Sequence, residues 1–178
     1  MNTTDQPDVV DELLRDWRKA HPELDPAALN VVGRIIVLAK RLEKSVESAL
    51  HQHELSLGQF DILATLRRHG PRGGLSPSDL LKNVVLSSGG MTARLDKLEE
   101  AGLIERKPAP GDRRMLLIEL TAKGKRVIDA ATATRFAEAR RSLPTFSEDE
   151  FETLSNLLRR WLGQFADEGR AVRDAAVT

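Results

Sequence analysis

The chain has no cysteine among its 178 residues. That absence excludes disulfides, thiolate metal sites and redox sensing through thiols. No apolar run approaches the roughly 20 residues that a membrane-spanning helix needs. The opening stretch, MNTTDQPDVVDELL, lacks the basic and then apolar regions of a signal peptide, so a cytoplasmic protein with no membrane partner is expected. There is no net charge either, 27 Lys and Arg balancing 27 Asp and Glu, so a nucleic-acid role would need a local basic surface. Residues 87–126 carry nine Lys and Arg against six Asp and Glu, an excess of three. Internal repeats and low-complexity tracts are missing. No Gly-rich phosphate loop follows a strand, and no nucleophile and base share a motif. The histidines are His21, His51, His53 and His69, and the H-x-H pair sits at a spacing that does not place its members on one helix face. The chain is therefore not expected to be an enzyme or to carry a cofactor, and a metal response through His51 or His53 stays as an alternative.

What the sequence does have is helical periodicity. Val9, Val10, Leu13, Leu14 and Trp17 form an apolar stripe on a short charged segment, and HPELDPAALN breaks it with two prolines. A longer stripe follows through Val31, Val32, Ile35, Leu38, Ala39, Leu42, Val46 and Leu50. LSLGQFDILATLRRHG gives a further helix with Phe60, Leu63, Ala64 and Leu66 apolar, stopped by GPRGG. Ser76 is a good N-cap and Pro77 suits a first helical turn, so a helix of about two turns begins there. A short connection near residues 84–87 leads to a second helix, and LIERK, a PAPGD turn and RRMLLIEL make a hairpin. Strand alternation puts Leu116, Ile118 and Leu120 toward the core. Thr121 caps the next helix, which ends before Pro144. Ser147 and Glu150 form a capping box for the last one, whose Leu154, Leu158, Trp161 and Phe165 form a narrow seam suited to another helix.

Two short helices joined by a tight turn and followed by a hairpin make a winged helix-turn-helix. The predicted fold class is mainly α with a small β-hairpin wing, a winged helix-turn-helix domain joined to a helical domain to which the family resemblance given next assigns dimerisation. The expected divisions are a disordered N-terminus (1–7), an N-terminal helix and linker (8–26), that helical dimerisation region (27–54 and 121–168), the winged domain (55–120) and a flexible C-terminus (169–178).

The second helix of the motif raises a question. It is preceded by SSGG, and a glycine in a helix interior costs about 1 kcal/mol relative to alanine. On a helical wheel Met91, Leu95 and Leu98 share the core face, and Gly89, Gly90, Ala93 and Lys97 lie opposite. Either the glycines open the helix as a bare leading edge that lets it approach base edges and phosphates, or they form a loop before a helix that starts at Met91. Asp112, Arg113 and Arg114 lie at or just beyond the hairpin tip, where arginines can enter a minor groove. A solvated turn with an internal ion pair is the alternative.

LSPSDLLKNVVLSSGGMTARLDKLEEAGLIERKPAPGDRRMLLIELTAKG strongly resembles the MarR family of bacterial winged-helix transcription regulators, over about residues 28–168. Its most specific pieces are TARLDKLEEAGLIER and DRRMLLIELTAKG. The resemblance implies a homodimeric repressor on a pseudo-palindromic double-stranded DNA operator, with the two reading helices roughly 34 Å apart. It places Ser78, Ser88, Gly90, Thr92, Arg94 and Lys97 near the major groove and Arg113 and Arg114 at the wing.

Trp17, Asp61, Arg94 and Arg106, together with the additional N-terminal helix, resemble the urate-responsive subgroup of that family. There a tryptophan of the extra helix, an aspartate in FDxLATL and two arginines twelve residues apart form or support the ligand site. The implied effector is a small aromatic anion such as urate or another purine. Trp17 would stack on it, Arg94 would pair with it, Asp61 would repel it or hold an arginine, and Arg106 would fix neighbouring charge. The alternatives are a structural ion-pair network, a regulator answering a phenolic compound, an antibiotic or a metal ion, and a winged-helix adaptor that does not bind DNA.

Overall fold

The computed structural model describes residues 6–69, 74–84, 90–109 and 112–175, and the side chains of all of these except 112–114 and 166–175. In chain order the elements are α1 (Val9–Ala20), α2 (Ala27–Leu50), α3 (Leu57–His69), α4 (Pro77–Asn83), α5 (Met91–Glu100), β1 (Ile104–Ala109), β2 (Asp112–Leu120), α6 (Ala122–Ser142) and α7 (Glu148–Ala175). The fold is mainly α with one antiparallel hairpin, as the periodicities imply. Among the described residues no helix is long and apolar enough to cross a membrane. The chain divides into two compact units, Met1–Ser142 and Leu143–Thr178.

In the first unit, α1 starts with a capping box. The Val10 and Asp11 N–H groups donate to Asp8 Oδ1 at 2.8 and 3.1 Å, and the Asp8 N–H donates to Asp11 Oδ2 at 2.9 Å. Arg34 of α2 bonds the same two carboxylates at 2.9 and 2.8 Å, and its hydrogen bond holds the Asp11 carboxyl below the ordinary carboxylate range. Of the expected α1 stripe only Val10 and Leu14 are buried. Val9, Leu13 and Trp17 stay exposed because α2 covers α1 from one side only, pressing Gly33 against Val10. The α2 stripe is likewise half used: Val46 and Leu50 are buried, and Val31, Leu38 and Leu42 are exposed.

The core gathers around the C-terminal end of α2. Residues 61–66 of α3 are all buried, and Leu80, Leu98, Ile118 and Ile128 join them from α4, α5, β2 and α6. Thr121 caps α6, its Oγ1 accepting from the Gly124 N–H at 2.9 Å and donating to the Gly102 carbonyl at 2.7 Å. Glu138 of α6 is 1% exposed. Burial pushes its carboxyl up, but hydrogen bonds from Ser142 and Ser45 and the charges of Arg135 and Arg141 outweigh that and hold it below the ordinary glutamate range. The Ser142 hydroxyl donates to it at 2.5 Å and Arg135 at 2.8 Å.

The hairpin departs from expectation in two ways. Its strands run through Pro108, Ala109 and Asp112, so the PAPGD turn is shorter than the sequence suggests, and a register shift falls between Pro108 and Ala109. Ile118 and Leu120 are buried, but Leu116 is not: it is 44% exposed. Leu116 pairs with Pro108 near the far end of the hairpin, where the strands have run past the core. Alternation fixes which face a residue takes and not how far a strand outruns the body behind it.

The second unit holds α7. Its N-terminus carries the expected capping box, with the Ser147 N–H donating to Glu150 Oε2 at 2.8 Å and the Glu150 N–H to Ser147 Oγ at 3.3 Å. The helix continues to Ala175, past the boundary placed at 168. No α7 side chain among those described is buried, and Phe151, Leu162 and Phe165 are well exposed.

Candidate nucleic-acid interface

The motif begins at Leu75, which forms an isolated bridge to Ile118 of β2. The Leu75 N–H donates to the Ile118 carbonyl at 3.1 Å, and the Ile118 N–H to the Leu75 carbonyl at 2.8 Å. That bridge fixes the start of α4 against the hairpin. Ser76 then caps α4 by accepting from the Asp79 N–H at 3.1 Å, Pro77 occupies the first turn, and Leu80 is fully buried. Ser78, a predicted DNA contact, is exposed on this first turn.

α5 starts at Met91, so Gly90 precedes the helix and does not open it. Gly90 is its N-cap and has φ of +74°, the left-handed region that favours glycine. An added Cβ there would meet nothing within 4 Å. Backbone conformation alone therefore accounts for this glycine, and the reading of Gly90 as part of a bare helical edge is corrected. Ser88 and Gly89 lie outside the described residues.

Met91, Leu95 and Leu98 are buried, as the helical wheel requires. Thr92, Ala93, Asp96, Lys97 and Glu100 are exposed. This outward face carries acid as well as base, and a carboxylate facing a phosphate backbone would be repelled. Arg106 of β1 answers part of that problem. It reaches back to α5 and bonds Asp96 and Glu99, both at 2.6 Å. The Asp96 hydrogen bond raises the guanidinium pKa further. One positive charge from the root of the hairpin is thus shared between two carboxylates of the helix and offsets half of their charge. Farther along, Lys107 bonds Glu105 at 2.7 Å and Glu119 at 3.1 Å. Arg113 and Arg114 belong to β2, and their side chains lie outside the described residues.

Arg94 is half-buried on the flank of α5, and its guanidinium lies against α3 over Gly58. Asp61, buried, follows Gly58 by three residues on the same face of α3. The fold therefore brings Arg94 and the Asp61 face of α3 together. Arg106 makes its bonds at the other half of α5. Trp17 is 46% exposed and lies on α1 itself, its ring tilted over His21 at a centroid distance of 5.6 Å. A shallow apolar surface beside it is lined by Val9, Leu13 and Ala20 with Glu12 and Asp16. Among the described residues no three metal-ligating side chains gather around the histidines, and His53 meets the Thr134 hydroxyl at 2.8 Å.

Sequence reasoning missed a cleft of about 640 Å³ between α3 and α6. Phe60, Ala64, Phe136 and Ala139 give it apolar walls, and Arg67, Arg68 and Arg135 reach it, with Asp129 the acidic member of the lining. Arg67 bonds Asp129 at 2.7 Å, which holds that carboxyl below the ordinary range. The usable signal was Asp129, Thr132, Phe136 and Ala139, which fall on one face of α6 at helical spacing.

Comparison with known proteins places this geometry. Residues 55–116 match the MarR family. The chain is 34% identical over 151 residues to the HTH-type transcriptional regulator PecS of Dickeya dadantii, covering 85% of this chain and 91% of that protein. Among solved structures it resembles a mutant MarR from Escherichia coli complexed with operator DNA (TM-score 0.65, 24% identity, 82% and 97% of the two chains). It also resembles Bordetella bronchiseptica BpsR, whose DNA binding is regulated by 6-hydroxynicotinic acid (TM-score 0.64, 20% identity, 74% and 91%). The relatives so matched are transcription regulators and not enzymes.

Proposed function

This chain belongs to the MarR family of winged-helix transcription regulators, and from that premise we propose that it is a homodimeric repressor released from a pseudo-palindromic operator by a small aromatic anion, urate or a related purine. The observation that carries the DNA reading is the construction of α5. Its core face is fully used, its outward face offers Thr92 and Lys97, and Arg106 offsets one of the two negative charges of Asp96 and Glu99 beside them. Ser78, Ser88 and the backbone at Gly90 would meet the groove or its phosphates, with Arg113 and Arg114 reaching from the wing. Dimer formation would cover the apolar side chains that α2 and α7 leave exposed.

The effector reading is supported by the contact of Arg94 with α3. An anion that recruits this guanidinium pulls on the DNA-reading helix itself, and a ligand shifts an equilibrium by as much as its affinities for the two states differ. Asp61 and Arg106 would set the charge around it, and Trp17 would supply the stacking surface, brought to the site by movement of α1 or from the second subunit. The test is a fluorescence-anisotropy titration of the protein on the intergenic DNA beside its own gene. Urate, xanthine and a panel of phenolic acids are then added, and the series is repeated with Arg94→Ala. Binding at low salt, release by a purine and loss of release in the variant are the expected results; no binding at low salt overturns the DNA reading.

The α3–α6 cleft favours a second reading, in which an aromatic acid lies between Phe60 and Phe136 with its carboxylate toward Arg68 or Arg135. Its volume falls within the range of small-molecule sites. Phe136→Ala discriminates, since at 74% exposed this side chain has no core to disrupt: loss of release there, with Arg94→Ala unaffected, would select the cleft.

A further inference from the structure

Gly58 is a glycine that neither turn nor cap explains. It stands in the first turn of α3, where alanine is the better helix former, and its φ is not among the positive ones. Space explains it instead. A Cβ on Gly58 would lie 2.7 Å from Arg94 Nε and 3.1 Å from both Arg94 Cδ and Cζ. All three nearest atoms belong to one side chain, and that side chain comes from the helix proposed to read DNA. Arg94 stands beside the buried positions Leu95 and Leu98 on the helical wheel, so it leaves α5 on the side that faces the body of the domain. The missing side chain of Gly58 is what lets its planar group lie down on α3.

We propose that Gly58 is a positioning residue for α5: it forms a notch in α3 that seats the Arg94 guanidinium and so fixes the flank of the DNA-reading helix. The proposal rests on the reading of α5 given above and replaces the groove contact that the family resemblance implies for Arg94. An arginine seated in the notch is a bolt between two helices, so Arg94 does not contribute a phosphate contact. The guanidinium is the movable partner and the α3 backbone is not. A methyl group at position 58 therefore leaves α3 intact, with a better helix former in its first turn, and displaces Arg94.

Four proteins test this: wild type, Gly58→Ala, Arg94→Ala and the double variant, each measured for operator affinity over a salt series and for unfolding in urea. Seating predicts that Gly58→Ala and Arg94→Ala each weaken operator binding by about tenfold and that the double variant is no weaker than Arg94→Ala alone, since residues in contact are not additive. The slope of log affinity against log salt should be the same in all four. A slope smaller by about 0.9 in Arg94→Ala would make that arginine a phosphate contact and overturn the proposal. So would wild-type affinity in Gly58→Ala, or additive losses in the double variant. The urea series needs no DNA. Non-additive shifts of the midpoint are expected there, and additive shifts reject the notch even if the protein proves to bind no operator.

Discussion

The most exacting prediction concerns Gly124, in the first turn of α6. A Cβ at this position would stand 1.9 Å from the carbonyl oxygen of Leu103, 2.9 Å from its carbonyl carbon and 3.3 Å from its Cα. Carbon and oxygen normally approach to about 3.3 Å, so the two segments would have to part by roughly 1.4 Å. Neither side yields easily. Leu103 is buried, and its carbonyl accepts the Thr121 N–H at 3.1 Å. Thr121 in turn caps α6 and bonds the Gly102 carbonyl, so the junction is closed on both sides. Overpacking of this kind costs about 1–3 kcal/mol, and weakening the cap adds about 1 kcal/mol. Higher helix propensity returns about 1 kcal/mol. Gly124→Ala should therefore lose about 1–3 kcal/mol, a fall of roughly 3–10 °C in Tm for a chain of this size. The assay is urea and thermal unfolding followed by far-ultraviolet circular dichroism. Gly163→Ala is the control: nothing lies within 4 Å of its added Cβ, and it should match wild type or gain slightly. A Gly124→Ala protein as stable as the control would refute the reasoning, because the close approach would then not exist.

Arg106→Ala should cost less than about 1 kcal/mol in stability, since Asp96 and Glu99 remain part-exposed and screened. It should still weaken operator binding about tenfold by uncovering two carboxylates on α5; unchanged affinity in anisotropy would remove Arg106 from the electrostatic account. Glu138 has a depressed pKa in the folded state, so its contribution is fully present above the ordinary glutamate value of 4.5 and is lost as pH falls through the depressed value. The stability difference between wild type and Glu138→Gln, measured by urea unfolding, should accordingly shrink as pH falls from about 6 to about 3; a difference that grew on acidification would reverse the assigned sign. Replacing Arg113 and Arg114 together with alanine should reduce the salt slope by about 0.9 for each phosphate that the pair neutralises, and an unchanged slope would remove the wing from the interface.

What could be read from the sequence was what is local. Caps at Ser76, Thr121 and Ser147 follow from a side chain and a backbone amide a few residues away, and all three form as read. The core face of α5 follows from periodicity. Gly90 could not be resolved in the same way, because a glycine kept for a positive φ and one kept for close approach look identical in sequence. Gly58 and Gly124 are glycines of the second kind, and only the packing of α3 on α5 and of α6 on Leu103 identifies them. Long-range charges escaped for a related reason. Arg67 and Asp129 are 62 residues apart, Arg34 and Asp8 are 26 apart, and the rotation of each helix about its axis decides whether such groups meet. Leu116 shows the limit of period-two reasoning, which gives the face and leaves the length of the overhang open.

These contacts constrain how a ligand signal could reach DNA. α5 is a single continuous helix of ten residues, so it is expected to move as one rigid piece. Its N-terminal half is tied to α3 through Arg94 and Gly58, and its C-terminal half to the hairpin root through Arg106. A ligand acting on Arg94 alone loosens one end while the other stays bonded, which tilts the helix about its hairpin end. The largest displacement then falls at Met91 and Thr92, the turn that would enter the groove, and the hairpin barely moves. On the proposed reading, release from DNA is therefore a loss of alignment between helix and wing. Cutting the second tie as well should leave α5 free to re-seat on DNA with ligand bound, so in Arg106→Ala a saturating effector should release a smaller fraction of the operator than in wild type, and equally complete release would show that the two ties are not opposed.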